Sequence, residues 1–332
     1  VLYALAGNRF YAVNSSGQAT QKGIVEGTIR PKVDDNGSEI VIPVGNGYIY
    51  QSSTDTVTQI TDPDFGTSYS ACFAGQYIIL VEANTGKMFL SDIGDGSSYD
   101  ALQFVTAESV PDNLLANHQF RGDVWAFGTQ STEIHYISSE AVPLNRYQNG
   151  SFNVGCGARL SVASNEDFIV WLSDKRRVYA STGGKPEPIS TPEVEFALSQ
   201  MNSVGDGEGF IYTEEGHTFY QLSFNNANRT LVYDFTTQYW HERKSGQNRD
   251  LASMYQHVYG KHLVGDYRSG KIYEISLDFY DEAGEEIVRE GILPAISTDK
   301  DKITQHSLRI FAETGITPYN QDDPQFSLRW SN

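Results

Sequence analysis

The sequence predicts an all-β fold, a β-propeller of about seven (alternatively six) four-stranded blades followed by the start of a β-sandwich-like domain. Three observations support this prediction. A Gly or Asn turn followed by a short aromatic and β-branched run recurs along the chain. The interval between copies is the length of one four-stranded unit. A second type of turn keeps the same register as the first.

The repeated unit is a turn followed by a strand-forming run. Its copies begin at Gly37, Gly75, Gly122, Asn165, Gly209 and Gly260. From the second copy onward, the starts are 47, 43, 44 and 51 residues apart. Residues 1–5 fit one further unit that lacks its innermost strand, which gives seven units. If the first and last units share one blade, the ring has six.

The second turn type appears as TGKMF at 85–89 and as SGKIY at 269–273, which are 184 residues apart, or four intervals of 46. Each predicts a hairpin in which Gly supplies a positive φ. In the third unit we expect strands at 69–74, 77–82, 87–91 and 102–107. A single sheet cannot bury both of its faces, whereas sheets packed in a ring can. A β-solenoid is the structural alternative, although its repeats are usually shorter.

Two segments depart from the repeat. A Thr191 cap, Pro192 and an acidic first turn predict one helix, on the rim between two blades. After residue 296 a charged linker at 297–302 precedes two alternating runs, 307–312 and 325–330. We therefore expect a propeller at 1–296 and the truncated start of a C-terminal β domain at 297–332. We also expect both ends to be cut from a longer protein.

Composition limits the function classes. The formal net charge is −18, the reverse of the basic balance that phosphate binding requires. Cys72 and Cys156 make no disulfide framework and are expected to be small buried residues. No apolar run approaches the 18 residues of a membrane-spanning helix, so no membrane segment is predicted.

The candidate chemical motifs favour no enzyme. His257 and His262 are the nearest approach to a metal pair, but their spacing is not that of a metal site. The acidic, Gly-rich residues 92–98 predict a turn rather than a calcium loop. Residues 205–209 have neither the Lys nor the helix of a phosphate loop. We therefore predict no catalytic residues, no metal and no cofactor, although the carboxylates leave a glycosidase pair open.

An ordered set of motifs resembles a known family. The motifs are SSYDALQF at 97–104, AESVPD at 107–112, WAFGTQSTEI at 125–134, GCGA at 155–158, WL at 171–172, VY at 178–179, PIST at 188–191 and PQFSLRWS at 324–331. This set is similar to the packaged-DNA stabilisation proteins of short-tailed bacteriophages, also called tail accessory factors, tail hub or nozzle proteins. The resemblance covers nearly all of the chain. The N-terminal arm of the family is missing here, and the C-terminal domain is incomplete.

The resemblance implies a structural protein of the virion tail. Members of the family assemble as a ring, usually a hexamer, below the portal and adaptor rings. They extend the DNA exit channel, help to retain the packaged genome, and dock tailspikes or fibres and a plug or needle protein. Transiting DNA would then be a partner without tight binding. Surplus carboxylates repel phosphates, so we expect acidic residues on the surface that faces the channel.

Two long segments, 138–151 and 279–290, are expected to be loops that contact neighbouring subunits. The candidate residues are Asn145 and Arg146 in the first, and Asp281, Glu282, Glu285 and Glu286 in the second. The four acidic residues favour a basic partner surface. Two other functions remain open at this stage: a propeller module that binds a carbohydrate or a receptor, and a hydrolase with paired carboxylates in a central pocket.

Overall fold

The computed structural model describes residues 1–107, 111–279 and 281–292, together with 306, 307 and 309. The chain divides into two compact units, Val1–Ile275 and Ser276–Asn332. All strand pairings between the named strands are antiparallel, and each sheet is built from strands that are consecutive in the sequence.

The first unit begins with three sheets. Sheet 1 contains β1 (Leu2–Ala6), β2 (Arg9–Val13) and β3 (Ala19–Ile24). Sheet 2 contains β4 (Asp34–Asp35), β5 (Glu39–Ile42), β6 (Tyr48–Gln51) and β7 (Thr56–Gln59). Sheet 3 contains β8 (Ser68–Ala74), β9 (Tyr77–Glu82), β10 (Lys87–Asp92) and β11 (Asp95–Thr106).

Four more sheets complete the first unit. Sheet 4 contains β12 (Leu114–Phe120), β13 (Asp123–Gly128), β14 (Thr132–Ile137) and β15 (Leu144–Phe152). Sheet 5 contains β16 (Ala163–Ser164), β17 (Ile169–Leu172), β18 (Val178–Ser181) and β19 (Glu187–Pro188). Sheet 6 contains β20 (Gly207–Glu214), β21 (His217–Phe224), β22 (Arg229–Asp234), β23 (Tyr239–Ser245) and β24 (Asn248–Arg249). Sheet 7 contains β25 (Ala252–Val258), β26 (Lys261–Asp266) and β27 (Ile272–Ile275).

Three short elements remain. A 3-10 helix, Arg159–Ser161, leads into sheet 5, and helix α1, Pro192–Ser199, connects sheet 5 to sheet 6. In the second unit, β28 (Asp281–Glu282) and β29 (Glu285–Glu286) form a hairpin. The predicted helix is confirmed, and its Val194 and Leu198 are buried in the core between sheets 5 and 6.

The seven sheets of the first unit form a β-propeller. The first strands of successive sheets lie side by side at its centre: β4 beside β8, β8 beside β12, β16 beside β20, and β20 beside β25. Sheet 1 starts one position further out, since its last strand, β3, lies beside β7, the outermost strand of sheet 2. The seven-blade prediction is confirmed, and the six-blade alternative is not, because the first and last sheets are separate.

The core consists of apolar layers between neighbouring sheets. In strand β9, for example, successive residues alternate between two of these layers. Ile78 and Leu80 pack against sheet 2, whereas Ile79 and Val81 pack against sheet 4. Side chains of a strand alternate between its two faces, so a strand buried on both faces needs a continuous apolar run. The runs that defined the sequence repeat are therefore interface residues.

The largest aromatic residues belong to these layers. Trp125 and Trp171 are 1% and 0% exposed, and their ring centroids are 6.0 Å apart between sheets 4 and 5. The Trp171 indole Nε1 donates a hydrogen bond to the Gly155 carbonyl oxygen at 3.2 Å. This hydrogen bond offsets the cost of removing the Trp171 N–H from water, and the burial of both ring surfaces stabilises the fold.

Two details of the repeat were wrong. Gly209 lies within β20 and is not a turn residue; the hairpin turn of sheet 6 is at 215–216. A Cβ at Gly209 would come within 2.7 Å of the Ser161 carbonyl oxygen, so this Gly permits close packing rather than a turn. In the hairpin at 83–86, the residue with positive φ is Asn84, at 61°, and not Gly86.

One strand begins earlier than predicted. Strand β11 begins at Asp95, which pairs with Asp92 at the end of β10. The acidic segment 92–98 therefore contains a two-residue hairpin turn and the strand residues on either side, in agreement with the predicted turn. The division between the two units falls after Ile275. The strands predicted at 307–312 and 325–330 lie outside the described residues, apart from Ser307 and Arg309.

Candidate functional surfaces

Side chains from distant sheets meet at the centre of the propeller. Arg159 precedes sheet 5, and its Nη2 donates a hydrogen bond to the carbonyl oxygen of Arg30, before sheet 2, at 2.7 Å. The Arg30 guanidinium lies 2.6 Å from the Glu208 carboxylate in sheet 6, and it also donates to the Ser253 carbonyl oxygen in sheet 7. Sheets 2 and 5 are three positions apart on a ring of seven. These contacts therefore cross the propeller axis.

The axial cluster, defined as Arg30, Arg159, Glu208 and Arg249, contains three cations and one carboxylate. Arg249 is fully buried; its Nη2 lies 3.3 Å from Glu208, and its guanidinium is 4.0 Å from the Tyr267 ring centroid. Burial lowers the pKa of Arg249, and the Glu208 carboxylate partly opposes this shift. The Glu208 carboxylate thus compensates the charge of the buried Arg249 guanidinium and also pairs with Arg30. The stability of the cluster therefore depends on Glu208.

A buried lysine lies near this cluster. No hydrogen-bond acceptor contacts Lys32 Nζ among the described residues. Burial lowers the pKa of Lys32 to about 8, which is opposed by Cys72, Asp34 and Cys156 nearby. The two cysteines are buried and free, as expected from the sequence. Burial raises the pKa of the Cys156 thiol to about 11, which makes it a poor nucleophile at neutral pH.

A cavity of about 780 Å³ opens between the inner ends of sheets 4 to 7. Its wall includes Tyr212, Tyr255, His257 and His262. Glu166 is the one carboxylate in the described lining, so the two facing carboxylates of a glycosidase are not found there. The lining offers aromatic surface and hydrogen-bonding groups, including the imidazoles of His118, His257 and His262.

The two histidines considered as a metal pair face each other across a hairpin. His257 and His262 are paired residues of β25 and β26, with ring centroids 4.9 Å apart. The Nδ1 atom of His262 is already 2.7 Å from the Tyr255 hydroxyl oxygen. Within the described part of the chain, no group of three or more potential metal-ligating side chains is found.

The four acidic candidates lie together in the β28–β29 hairpin. Asp281 is paired with Glu286, and Glu282 with Glu285. Like charges directly opposite each other destabilise an antiparallel pair. The turn adds strain, because Ala283 has a φ of 55°, a left-handed conformation that costs a non-Gly residue about 1 kcal/mol. The hairpin is therefore a concentrated negative surface that a basic group would stabilise.

The loop expected at 138–151 is confined to 138–143. Residues from Leu144 onward form β15, the outermost strand of sheet 4. Asn145 donates from its side-chain amide to Ser138 Oγ at 2.7 Å, within its own sheet. Arg146 Nε lies 3.9 Å from the buried Glu133 carboxylate. Residues 145–149 of β15 are half-buried or exposed, so this stretch lacks the apolar alternation by which strands are identified in sequence.

A family of known proteins matches most of the chain. The family model described as "Bacteriophage P22 Gp10, beta-propeller" matches residues 1–280. The chain belongs to this phage stabilisation family. It is therefore a structural protein of a bacteriophage, with the propeller fold that the family description states.

Comparison of this phage stabilisation protein with solved structures finds matches at low sequence identity. The dihydro-heme d1 dehydrogenase NirN has a TM-score of 0.52 and 12% identity, over 81% of this chain and 61% of that chain. The computationally designed protein Ika8 has a TM-score of 0.48 and 10% identity, over 82% and 95%. BamB from Moraxella catarrhalis has a TM-score of 0.43 and 12% identity, over 80% and 91%.

Two further findings concern the same phage protein. No curated protein matches its sequence. Among the described residues, no helix has both the length and the apolar character needed to cross a bilayer.

Proposed function

We propose that the protein is a tail hub, or nozzle, subunit that forms a closed ring of copies, usually six, below the portal and adaptor. The ring would extend the DNA exit channel and help to retain the packaged genome. The bridged axis is the observation that carries this proposal. Because Arg30, Arg159 and Glu208 meet across the centre, a duplex has no passage through the propeller itself. The passage would therefore run between copies.

The acidic balance supports the same role. With a net charge of −18, the surface of each copy repels phosphates. A channel wall rich in carboxylates lets DNA leave without holding it. In the axial cluster, the Arg249 side chain is buried and Arg30 pairs with the Glu208 carboxylate, so neither adds an uncompensated positive charge to the surface.

Docking is the second part of the proposed role. A propeller with tightly packed layers is a rigid support for exposed turns, which could bind tailspikes or fibres and a plug or needle protein. The β28–β29 hairpin, with Asp281, Glu282, Glu285 and Glu286, would bind a basic partner surface. Asn145 and Arg146, on the outermost strand of sheet 4, remain candidates for contact with a neighbouring copy.

The test is assembly on the portal–adaptor complex. The protein is mixed with that complex and analysed by sedimentation and electron microscopy. We expect a closed ring of density below the adaptor. Reversal of Glu285 and Glu286 to Lys should weaken binding, whereas reversal of the exposed Glu187 and Glu215 should not. A protein that stays monomeric and does not bind the complex would contradict the proposal.

The second candidate function is a carbohydrate- or receptor-binding module, favoured by the aromatic cavity. Tyr212, Tyr255 and Gln256 give it ring surface and neutral hydrogen-bonding groups, which suit a sugar. Titration with bacterial surface oligosaccharides tests this role. Binding by a strict monomer that is lost in Tyr255→Ala would favour the module over the tail hub.

A further inference from the structure

Four of the seven histidines lie on the facing sides of sheets 6 and 7. They are His217 and His241 in sheet 6, and His257 and His262 in sheet 7. In sheet 6, the Phe219 ring centroid is 5.9 Å from that of His217 and 6.3 Å from that of His241. In sheet 7, Tyr255 packs against sheet 6, and its ring centroid is 5.8 Å from that of His262. His257 is two positions after Tyr255 on the same strand, so it shares this side. The four imidazoles therefore border one layer, and we call them the histidine groove.

A guanidinium adds a permanent positive charge to the groove. Arg243 lies on the same side of β23 as His241, and its guanidinium is 5.5 Å from the Tyr212 ring centroid. Within the described residues, Arg243 forms no ion pair with a carboxylate, whereas other cations, such as Arg229 and Lys261, are already paired. The charge of Arg243 is therefore available to a partner.

The imidazoles of the groove are accessible. His241 and His257 are exposed, and the His217 side chain is 41% exposed. His217 has a carboxylate partner, because its Nδ1 lies 2.8 Å from Asp234 Oδ2. The other three imidazoles form no ion pair among the described residues, and His262 Nδ1 contacts the Tyr255 hydroxyl instead. Three imidazoles can thus become charged without a counter-ion in their own copy.

Two carboxylates of the same copy border the groove, Asp234 and Glu214, which is paired with His217 across β20 and β21. The remaining charged or titratable groups of sheet 6 on this side are Glu208, Tyr212, Tyr239 and Arg249. Those on or beside sheet 7 are Asp250, Tyr255, Asp266, Tyr267, Lys271 and Tyr273. Glu208 is bound by the axial cluster and Asp266 by Arg268, while His118 and Glu166 lie across the cavity from His257. Two carboxylates therefore face four imidazoles and Arg243 at the groove.

We propose that the histidine groove of one copy binds the acidic β28–β29 hairpin of the next copy. Asp281, Glu285 and Glu286 of the hairpin are exposed, and their charge is opposite to that of protonated imidazoles and Arg243. The two surfaces lie on different parts of the same chain, so the contact runs head to tail and closes into a ring. This inference rests on the ring in the proposed function and names the contact that would hold it together.

The contact should depend on pH. Burial, and then the neighbouring Arg243, lower the pKa of His241, against the opposing effect of Asp234. A carboxylate brought by another copy favours the charged form of an imidazole. The assembled copies would therefore bind more protons than the separate ones, and association should strengthen as the pH falls through the range of histidine, about 6.5.

Charge exchange between two variants tests the contact. The groove variant carries His241→Glu and His257→Glu, and the hairpin variant carries Glu285→Lys and Glu286→Lys. The control carries Thr56→Glu and Gln59→Glu, which add two carboxylates at exposed positions of β7. Sedimentation velocity gives the oligomer size at about pH 6 and about pH 7.5, for each chain alone and for the two variants mixed. Circular dichroism shows that each variant is folded.

We expect the wild type and the control to form closed oligomers, and each of the two variants alone to associate at least about tenfold more weakly. The mixture should assemble again, because the reversed hairpin fits the reversed groove and the native pair is also present. Wild-type association should be about tenfold tighter at pH 6 than at pH 7.5. The combination of His241→Gln and His257→Gln, which removes imidazoles without adding charge, should abolish most of this difference.

Three results would overturn the inference. Variants that assemble as the wild type does would refute the contact and leave the proposed ring standing. A mixture that stays monomeric would show that the hairpin binds its own copy or another surface. A wild type that is monomeric at both pH values would also refute the contact, and assembly on the portal–adaptor complex would then decide the proposed function separately.

Discussion

Replacement of Glu208 by Gln should destabilise the propeller far more than removal of a surface carboxylate. Glu208 is the only carboxylate of the axial cluster; it contacts Arg30 at 2.6 Å and Arg249 at 3.3 Å. The Gln side chain is nearly the same size, so the substitution removes charge without opening a cavity. It leaves the Arg249 guanidinium buried without its counter-ion.

The expected magnitude follows from burial. Loss of one partner of a buried ion pair costs about 3–5 kcal/mol, because the remaining charge has no compensation. In a unit of this size, each kcal/mol shifts the midpoint of thermal unfolding by about 2–4 °C. We therefore expect Glu208→Gln to lower the midpoint by roughly 10 °C. Arg249→Met in the same chain should recover part of the loss, since it removes the uncompensated charge.

The assay is thermal and urea unfolding, followed by circular dichroism. The matched control is Glu187→Gln, because Glu187 pairs with Lys185 at 3.4 Å on the surface, where the two side chains are 68% and 78% exposed. A pair of this kind is worth about 0.5 kcal/mol or less. If Glu208→Gln costs no more than the control, the axial cluster does not hold the sheets together and the argument from burial is wrong.

Three further predictions test other contacts. Tyr259→Phe removes the hydroxyl that bridges Leu2 and Val13; we expect a loss of about 1–2 kcal/mol and faster hydrogen exchange in β1, and unchanged exchange would contradict the bridge. Lys32 has a pKa of about 8 in the folded state, below the 10.5 of the unfolded state, so the unfolded state binds more protons between these values and stability rises with pH. Lys32→Met should therefore increase the free energy of unfolding at pH 7 by an amount of order 3 kcal/mol, and this gain should disappear by about pH 10.5. The control, Lys175→Met at an exposed position, should change stability little at any pH. Urea unfolding of both variants across this pH range tests the prediction. Ala283→Gly relieves the left-handed φ of the acidic hairpin and should slow hydrogen exchange there by a few-fold, whereas Ala283→Val should accelerate it.

Much of the propeller could be predicted because its signal is local. In β9 and β13 a continuous apolar run of strand length marks a strand buried on both faces, and the preceding turn recurs once per sheet. The seven-fold repeat can therefore be recognised from short segments of the sequence. The misassigned Gly209 shows the limit of this signal. The sequence does not distinguish a Gly that permits close packing at the axis from a Gly that forms a turn.

The axial cluster could not be predicted for the opposite reason. Arg30 and Arg159 are 129 residues apart, and neither has a sequence neighbourhood that distinguishes it from a solvated surface residue. Their contact exists only because the ring brings sheets 2 and 5 to the same axis. Strand β15 was missed because residues 145–149 are polar apart from Tyr147 and show no apolar alternation. Asn145 and Arg146 therefore resembled loop residues.

The central proposal is that the protein is a tail component and that DNA passes between copies, because the axial cluster crosses the axis of each propeller. A cryo-electron microscopy reconstruction of the virion tail tests it most directly. We expect several copies arranged around the exit channel, each with seven sheets, side-chain density across its own axis and carboxylate-rich surface towards the DNA. DNA density inside the propeller axis, or a channel wall that is neutral or basic, would contradict the account.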